Sequence, residues 1–200
     1  KIDNILNVPN INTYDERWNG AAFDLPMAFF EFVFKVTDTR EIYLFRHFFN
    51  FTIFIISVFI FYKIVTDRFN SYITGIIGAA FLVLSPRIFA ESFYNTKDIL
   101  LMSLFIINLY SGIKFLDNPN IKTAIIFSAI SAYAVDLRVL VIFFPLLISL
   151  IHILNILRMN NFKKDKLIPL LVLLTSLPIF ITFFWPYLWS NPIGNFIKVE

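Results

Sequence analysis

The sequence has no cysteine, only five glycines and only two histidines among its 200 residues. Without cysteine, the chain cannot form disulfide bonds, thiolate metal sites or thiol nucleophiles. The two histidines, His47 and His152, are too far apart in sequence for a local zinc motif. The few glycines form neither a P-loop nor a dinucleotide-binding fingerprint. The sequence therefore gives no sign of a zinc-motif protein, a thiol enzyme or a nucleotide-loop protein.

Charge is scarce as well. Charged residues make up 16% of the chain, 58% of the residues are hydrophobic, and the mean hydropathy is +0.73. Soluble domains average about 45–50% apolar and about 25% charged residues, so this composition is typical of a membrane protein. The pI near 9.1 would indicate nucleic-acid binding in a soluble protein. Here the lysines and arginines lie in short connectors between apolar runs, where they orient helices in a bilayer. No nucleic-acid partner is predicted.

Six apolar runs can be read along the chain: 43–63, 70–85, 99–116, 122–135, 138–157 and 167–189. A membrane-spanning helix needs about 17–25 residues, which the first, third, fifth and sixth runs provide and the second and fourth do not. The predicted fold class is an all-α integral membrane protein with about six transmembrane helices. The predicted division is an external loop with interfacial amphipathic helices over 1–42, a helical bundle over 43–190, and the start of another external loop over 191–200.

The stretch AVDLRVL, residues 134–140, decides whether 122–157 is one helix or two. In one helix, Asp136 and Arg138 would lie near the middle of the bilayer, which is energetically costly. Two helices would place both charges in a turn at the membrane surface, so two helices are predicted. The two residues then either neutralise each other or leave Arg138 available to a ligand.

Lysine and arginine are unevenly divided between the two sets of connectors. One set holds Lys63, Arg68, Lys114, Lys122, Arg158, Lys163, Lys164 and Lys166, and the other holds Arg87, Lys97, Arg138 and Lys198. The positive-inside rule makes the first set cytoplasmic, although the basic residues of the N-terminal segment count against it. All acidic residues except Asp67, Asp117 and Asp165 then lie on the other face. The predicted location is the plasma (inner) membrane, with any active site on the non-cytoplasmic face.

The segment 20–36, GAAFDLPMAFFEFVFKV, has the pattern of a helix that lies in the membrane interface. Asp24, Glu31 and Lys35 would share one face of that helix, with Glu31 and Lys35 at the favourable i,i+4 spacing. Asp38 is a candidate N-cap for a second helix that continues into the first span.

Two groups of polar residues could carry chemistry. Asp15 and Glu16, adjacent in YDERW, could act as a general base or bind a cation, or could belong to an ordinary hydrated loop. In the connector around 85–100, Arg87 and Lys97 could hold a phosphate. Asp98 could equally be a favourable charge at a helix N-terminus, which would make this stretch a solvated connector.

Two further clusters are more typical of anchoring. Trp185, Tyr187 and Trp189 predict an aromatic belt at a membrane interface. The basic cluster at 158–166 predicts a cytoplasmic anchor or a contact with anionic membrane lipid.

Four stretches, in the order YDERWNGAAFDL, LFRHFFN, LSPRIFAESFYNTKDI and FWPYLW, resemble membrane glycosyltransferases of the GT-C superfamily. The resemblance is closest to family 39 and its relatives, the protein O-mannosyltransferases and aminoarabinose transferases. It covers nearly the whole chain. Members usually have one more span before the acidic loop, so the chain is expected to be a fragment that begins just after it and lacks the C-terminal part.

The resemblance implies transfer of a sugar from a polyprenyl-phosphate carrier to a protein, lipid or glycan acceptor, with inversion. It implies catalytic roles for Asp15, Glu16 and Asp98, and binding of the donor phosphate by Arg87, Lys97 and Arg138. Asp24 and Asn95 match further motif positions. Glu16 and Asp98 are the expected ligands of a divalent cation, Mg²⁺ or Mn²⁺, if one is used.

The sequence departs from the family pattern at three positions: Glu91 replaces a histidine, and Thr96 and Leu100 replace prolines. Glu91 is kept as a site candidate, but it weakens any inference about substrate specificity. Two other functions stay open at this point. A carrier or flippase for polyprenyl-linked sugars would place ionisable residues near the bilayer midplane. A non-catalytic membrane subunit would tolerate neutral residues at positions 15 and 98.

Overall fold

The computed structural model describes residues 22–158 and 164–198, apart from the side chain of Lys164. Over these ranges the chain forms helices and no strand. The α-helices described are α1 Asp24–Val33, α2 Thr39–Phe69, α3 Tyr72–Leu84, α4 Pro86–Tyr94, α5 Asp98–Asp117, α6 Ile121–Leu137, α7 Phe143–Arg158, α8 Lys164–Phe184 and α9 Pro192–Ile197. Short 3-10 helices, Val139–Ile142 and Pro186–Trp189, precede α7 and α9. Asp15 and Glu16 lie outside the described residues.

Four helical segments are long and apolar enough to cross a membrane: Thr39–Phe69, Asp98–Asp117, Val139–Arg158 and Asp165–Phe184. A fifth span results if α3 and α4, which meet at 65°, are counted together. α6 has 17 residues, the lower limit for a spanning helix. The predicted fold class, an all-α integral membrane protein, is confirmed. By length and composition the described residues provide four or five spans, where about six were predicted.

α2 is longer than a bilayer requires. Its 31 residues extend about 46 Å, against a hydrocarbon core about 30 Å thick. Asp38 occupies the N-cap position, as predicted, but its side chain forms no capping hydrogen bond. At the other end, Asn70 stops the helix in the left-handed conformation, with φ of 48°. The excess length allows the first turns of α2, which include Arg46, to continue beyond the apolar core.

Close packing of α3 on α2 depends on Gly75. A Cβ atom there would lie 2.0 Å from Thr66 Oγ1 and 2.9 Å from the ring of Tyr62. α3 ends at Ser85, and Pro86 takes the first position of α4, where its missing N–H leaves no donor unsatisfied. Because the chain bends by 65° at this point, α4 packs across both α2 and α5.

The predicted break between the fourth and fifth apolar runs is confirmed. α6 ends at Leu137, and Arg138 has extended backbone angles before the 3-10 helix begins. The prediction that both charges face the surface is wrong for Asp136, whose exposed fraction is 1%. The last turn of α6 packs against α5 and α8, which buries Asp136 together with Ala134 and Val135.

α1 lies within the predicted interfacial segment but is shorter than expected. It ends at Val33, and Lys35 has a left-handed backbone with φ of 53°, so the helix does not reach Lys35. The predicted Glu31–Lys35 pair is therefore wrong, and Glu31 instead contacts Arg46. Phe29 is exposed on the outer side of the helix, as expected for a helix in the interface.

The predicted aromatic belt is correct at one of its three positions. Trp189 is exposed, and its indole N–H donates to the carbonyl of Thr182. Trp185 and Tyr187 are instead buried, in a cluster with Leu177 and neighbouring residues. Both rings belong to a hydrophobic cluster that includes residues of α6 and α8.

The helices pass back and forth, so their connectors alternate between two ends of the bundle. At one end, here called the basic end, the ring of His152 in α7 contacts the carbonyl of Lys166 in α8 at 3.0 Å. At the other end, here called the network end, Tyr133 of α6 donates a hydrogen bond to the carbonyl of Ala22. α1, the α4–α5 connector and the α6–α7 break all meet at the network end.

Candidate active site

Asn95, between α4 and α5, is the centre of a polar network at this end of the bundle. Its Oδ1 accepts from the backbone N–H groups of Lys97 at 3.1 Å and Asp98 at 2.8 Å. Those amides lie at the start of α5, whose N-cap residue is Lys97, and the Asn95 side chain supplies the acceptor that they need. Its Nδ2 donates to Glu91 Oε2 at 3.1 Å and to Asp98 Oδ2 at 3.2 Å. One side chain thus fixes the start of α5 and links two carboxylates.

An arginine flanks each of these carboxylates. Arg87 Nε donates to Glu91 Oε1 at 2.9 Å within α4. Arg138 Nη2, at the α6–α7 break, lies 3.6 Å from Asp98 Oδ1. The contacts form a chain, here called the polar network: Arg87, Glu91, Asn95, Asp98 and Arg138. Among the described residues, Arg138 makes an ion pair with Asp98, as expected if its guanidinium is available at this end of the bundle.

The charged groups of the network are accessible. The side chains of Arg87, Asp98 and Arg138 are 88%, 67% and 57% exposed, whereas Glu91 is 20% exposed. Ion pairs this exposed contribute only about 0–1 kcal/mol to stability. The hydrogen bond from Arg87 to Glu91 raises the pKa of the arginine, so the group stays cationic. The network is therefore better placed to bind an anion than to hold the fold together.

Lys97 lies beside the network, with its side chain exposed. It forms no ion pair within the part of the chain that the structure describes. Three cations, Arg87, Lys97 and Arg138, therefore lie around the N-terminus of α5, where the helix dipole also favours negative charge.

A buried asparagine in α2 binds the backbone of the connector between α4 and α5. Asn50 is 1% exposed, and its Nδ2 donates to the carbonyls of Ser92 at 2.8 Å and Asn95 at 3.3 Å. Asn50 was not among the residues predicted from the sequence. The signal available was an amide side chain within an otherwise apolar run, because polar groups inside a membrane are costly unless they have partners.

Arg46 of α2 was missed in the same way. Its Nε and Nη2 contact the two carboxylate oxygens of Glu31 at 2.7 and 3.4 Å, and its Nη1 contacts Asp24 at 2.9 Å. Asp24, a predicted site residue, is thus bound by Arg46 and does not join the polar network. In the sequence, Arg46 could have been recognised as the single arginine within the first apolar run, 43–63.

The beginning of the described chain is fixed close to this network. Ala22 and Phe23 are buried, and Phe23 and Met27 pack with Leu100 of α5 and Ala134 of α6. Leu100 lies two residues after Asp98. Asp15 and Glu16 precede this anchored point and lie outside the described residues, so their predicted roles stay predictions.

A predicted cation site also stays a prediction. Within residues 22–158 and 164–198, no group of three histidine or acidic side chains is placed to hold a metal ion. Asp98 and Glu91 approach the same amide of Asn95 and supply two carboxylates at most. A site at Asp98 would need a further ligand, such as Glu16.

The chain matches the family described as Dolichyl-phosphate-mannose-protein mannosyltransferase over residues 26–185. That stretch is most of the chain and includes the whole polar network, Arg46 and Asn50. The chain belongs to this family. No functionally curated protein and no solved structure matches it. As a member of the mannosyltransferase family, it is a membrane glycosyltransferase of the GT-C type, and the resemblance noted in the sequence is confirmed.

Proposed function

We propose that this glycosyltransferase moves a sugar from a polyprenyl-phosphate carrier to an acceptor hydroxyl, with inversion, on the non-cytoplasmic face of the membrane. The observation that carries the proposal is the cluster of exposed cations, Arg87, Lys97 and Arg138, around Asp98 at one end of a membrane helix bundle. Such a carrier has its phosphate at the headgroup level and its tail in hydrocarbon, so it needs a cationic site at a helix end.

The three cations would bind the phosphate of the donor. Arginine offers a planar fork that matches phosphate oxygens, and lysine acts as a mobile point charge. The Arg138–Asp98 contact of 3.6 Å is long and exposed, so an incoming phosphate can take over the guanidinium at little cost. The same cations would stabilise the negative charge that develops on the phosphate as it leaves.

Asp15 is the proposed general base. It accepts the proton of the acceptor hydroxyl while the acceptor oxygen forms a bond to the anomeric carbon. The bond from that carbon to the phosphate oxygen breaks on the opposite side, and polyprenyl phosphate leaves with the electron pair. This displacement inverts the anomeric centre through an oxocarbenium-like state. A positioned base contributes about 10²- to 10⁴-fold to the rate.

Chain length is compatible with this role. Asp15 lies seven positions before Ala22, whose carbonyl is held by Tyr133 at the network end. An extended chain of that length reaches at most about 25 Å, so Asp15 can approach Asp98 but cannot reach the far side of the bilayer from Ala22. Glu16 would orient the acceptor or join Asp98 as a ligand of a divalent cation, Mg²⁺ or Mn²⁺, which would offset charge on the phosphate.

The distribution of charge supports the proposed face and membrane. Lysines and arginines are concentrated in the connectors of the basic end, which the positive-inside rule places in the cytoplasm. The network end then faces outward across the plasma (inner) membrane. A carrier or flippase is less well supported, because α5 has no charged residue between Asp98 and Lys114 to serve a midplane site.

The test is transfer by the full-length protein in proteoliposomes that contain a polyprenyl-phosphate sugar. Asp15→Asn should lower kcat at least about 10²-fold, since the base is lost. The matched control is Asp117→Asn, which removes an exposed carboxylate at the basic end and should leave transfer unchanged. Full activity in Asp15→Asn would disprove the base assignment. Absence of transfer from any polyprenyl-phosphate sugar by the unsubstituted protein would disprove the proposed donor class.

A further inference from the structure

We infer that Arg46 and Asn50 are positioning residues that set the two parts of the active site relative to each other. They lie one turn apart on α2, so their side chains extend from the same face of one helix. Arg46 holds α1, which follows the segment with Asp15 and Glu16. Asn50 holds the connector that leads to Asp98. The inference rests on the proposed function, because it assigns both parts to one reaction.

Arg46 holds α1 at both ends with one guanidinium. Asp24 is the first residue of α1, and Glu31 lies two turns later. Three of the five N–H donors of Arg46 are directed at these carboxylates, two of them to Glu31 in a fork. Such a two-point attachment fixes the helix in both tilt and rotation. Glu31 is only 14% exposed, which makes its pair with Arg46 stronger than an ordinary surface ion pair.

The ion pairs of Arg46 keep α1 on the bundle, whereas its amphipathic pattern would also allow it to lie in the lipid interface. One face of the helix packs inward through Met27, which is 2% exposed, whereas Leu25 and Phe32 are 53% and 82% exposed. An amphipathic helix with exposed apolar side chains can also lie freely in the lipid interface. Within the described residues, the ion pairs that join α1 to the bundle are those of Arg46. Loss of Arg46 should therefore release α1 into the interface.

Asn50 holds the connector by its backbone. Both of its Nδ2 contacts go to carbonyls, those of Ser92 in the last turn of α4 and of Asn95 in the network. Its own Oδ1 is buried and accepts no hydrogen bond from the described part of the chain. A buried amide with an unsatisfied oxygen is less stable than an apolar side chain of similar size would be. Packing alone does not require an asparagine here, but fixing the position of Asn95 does.

Neither residue needs to contact the substrate to affect the reaction. In a displacement that requires alignment of base, anomeric carbon and phosphate, an error of about 1 Å can lower the rate about 10²-fold. α2 is a continuous helix, so the distance between the two attachment points is constant. A change at either one should therefore affect kcat more than the KM for the donor, whose phosphate is bound by the network cations.

The first experiment uses single cysteines, since these 200 residues contain none; any cysteine elsewhere in the protein is first replaced by serine. A single Met27→Cys variant of the full-length protein in membranes should react slowly with a water-soluble thiol reagent, and Leu25→Cys should react fast. Adding Arg46→Ala should raise the rate at position 27 at least about tenfold, and Arg46→Lys should raise it less. The control is Arg40→Ala, which removes an exposed cation from the same helix end and should change neither rate.

The second experiment compares Asn50→Leu with Asn108→Leu. Asn108 is also a buried asparagine, but its hydrogen bond comes from Ser131 within the bundle. Asn50→Leu should raise the thiol reactivity of Thr96→Cys about tenfold and should lower kcat with a smaller change in donor KM. Asn108→Leu should leave the reactivity at position 96 unchanged, even if it lowers the melting temperature.

The outcomes separate this inference from the proposed function. If Arg46→Ala and Asn50→Leu leave the thiol reactivities unchanged, the two contacts do not position anything and the inference fails. It fails equally if the reactivities rise while kcat matches that of the Arg40→Ala and Asn108→Leu controls. The proposed function fails, by contrast, if the unsubstituted protein transfers no sugar although Met27→Cys still reacts slowly with the thiol reagent. That result removes the reaction that Arg46 and Asn50 would serve.

Discussion

Glu91 and Asp98, on different helices, are joined by the amide group of one residue between them, with Asn95 Nδ2 lying 3.1 Å from Glu91 and 3.2 Å from Asp98. Through its oxygen, the same side chain accepts from the Lys97 and Asp98 amides at the start of α5. The two carboxylates are therefore held in place by the fold itself, and the cations around them stay accessible. This arrangement allows stability and function to be measured separately.

Asn95→Ala should lower both stability and transfer. The loss of the acceptor for the Lys97 and Asp98 amides costs about 1 kcal/mol, and the loss of the amide nitrogen leaves Glu91 and Asp98 without their common donor. The matched control is Asn120→Ala, which removes the cap of α6 at the basic end, where Asn120 Oδ1 accepts from the Thr123 amide at 3.0 Å. The melting temperature should fall in both variants, whereas kcat/KM should fall only in Asn95→Ala. Equal losses of activity would contradict a specific role for Asn95.

Arg138→Ala should weaken donor binding with little effect on stability. Its ion pair with Asp98 is long and more than half exposed, so it contributes about 0–1 kcal/mol at most. A phosphate that loses a charged hydrogen-bond donor should bind about tenfold or more weakly, seen as a raised donor KM. Arg158→Ala, an exposed arginine at the basic end, should leave the donor KM unchanged. An unchanged KM in Arg138→Ala would remove this residue from the phosphate site.

Thiol labelling in intact cells should place positions 13 and 96 on the same outer face. Single cysteines can be introduced at Thr13, Thr96 and Ile121, since these 200 residues contain none, and any cysteine elsewhere in the protein is first replaced by serine. An impermeant reagent should label the first two and spare Ile121→Cys, which is exposed at the basic end. Labelling of positions 13 and 96 from opposite sides would mean that Asp15 and Asp98 cannot share one site.

Gly75→Ala should destabilise the protein by about 1–3 kcal/mol, because its Cβ would lie 2.0 Å from Thr66 Oγ1 and force α2 and α3 apart. Gly78→Ala is the control. Its Cβ would meet Val65 Cγ2 at 3.3 Å, which a small side-chain shift can relieve. Melting temperatures in detergent should fall clearly more for Gly75→Ala than for Gly78→Ala. Equal effects would mean that α3 does not pack on α2 as closely as the structure shows.

Features that depend only on residues close together in the sequence could be predicted from it. The membrane class follows from composition, and the break after α6 follows from the cost of placing Asp136 and Arg138 within one span. The amphipathic pattern located α1. Arg87, Glu91, Asn95 and Asp98 lie within a dozen residues, at spacings that bring side chains together on a helix and at its cap, so their proximity could be expected.

The tertiary structure decided which distant residues meet. Arg46 binds α1 across 15 and 22 residues, Asn50 binds Asn95 across 45, and Arg138 contacts Asp98 on another helix. These contacts depend on how the helices rotate and pack, and hydrophobic periodicity in a lipid-facing bundle gives little information about rotation. The sequence by itself determined a membrane transferase and most of its charged groups. The packing of α2 against α1, α4 and α5 determined how those groups are held together.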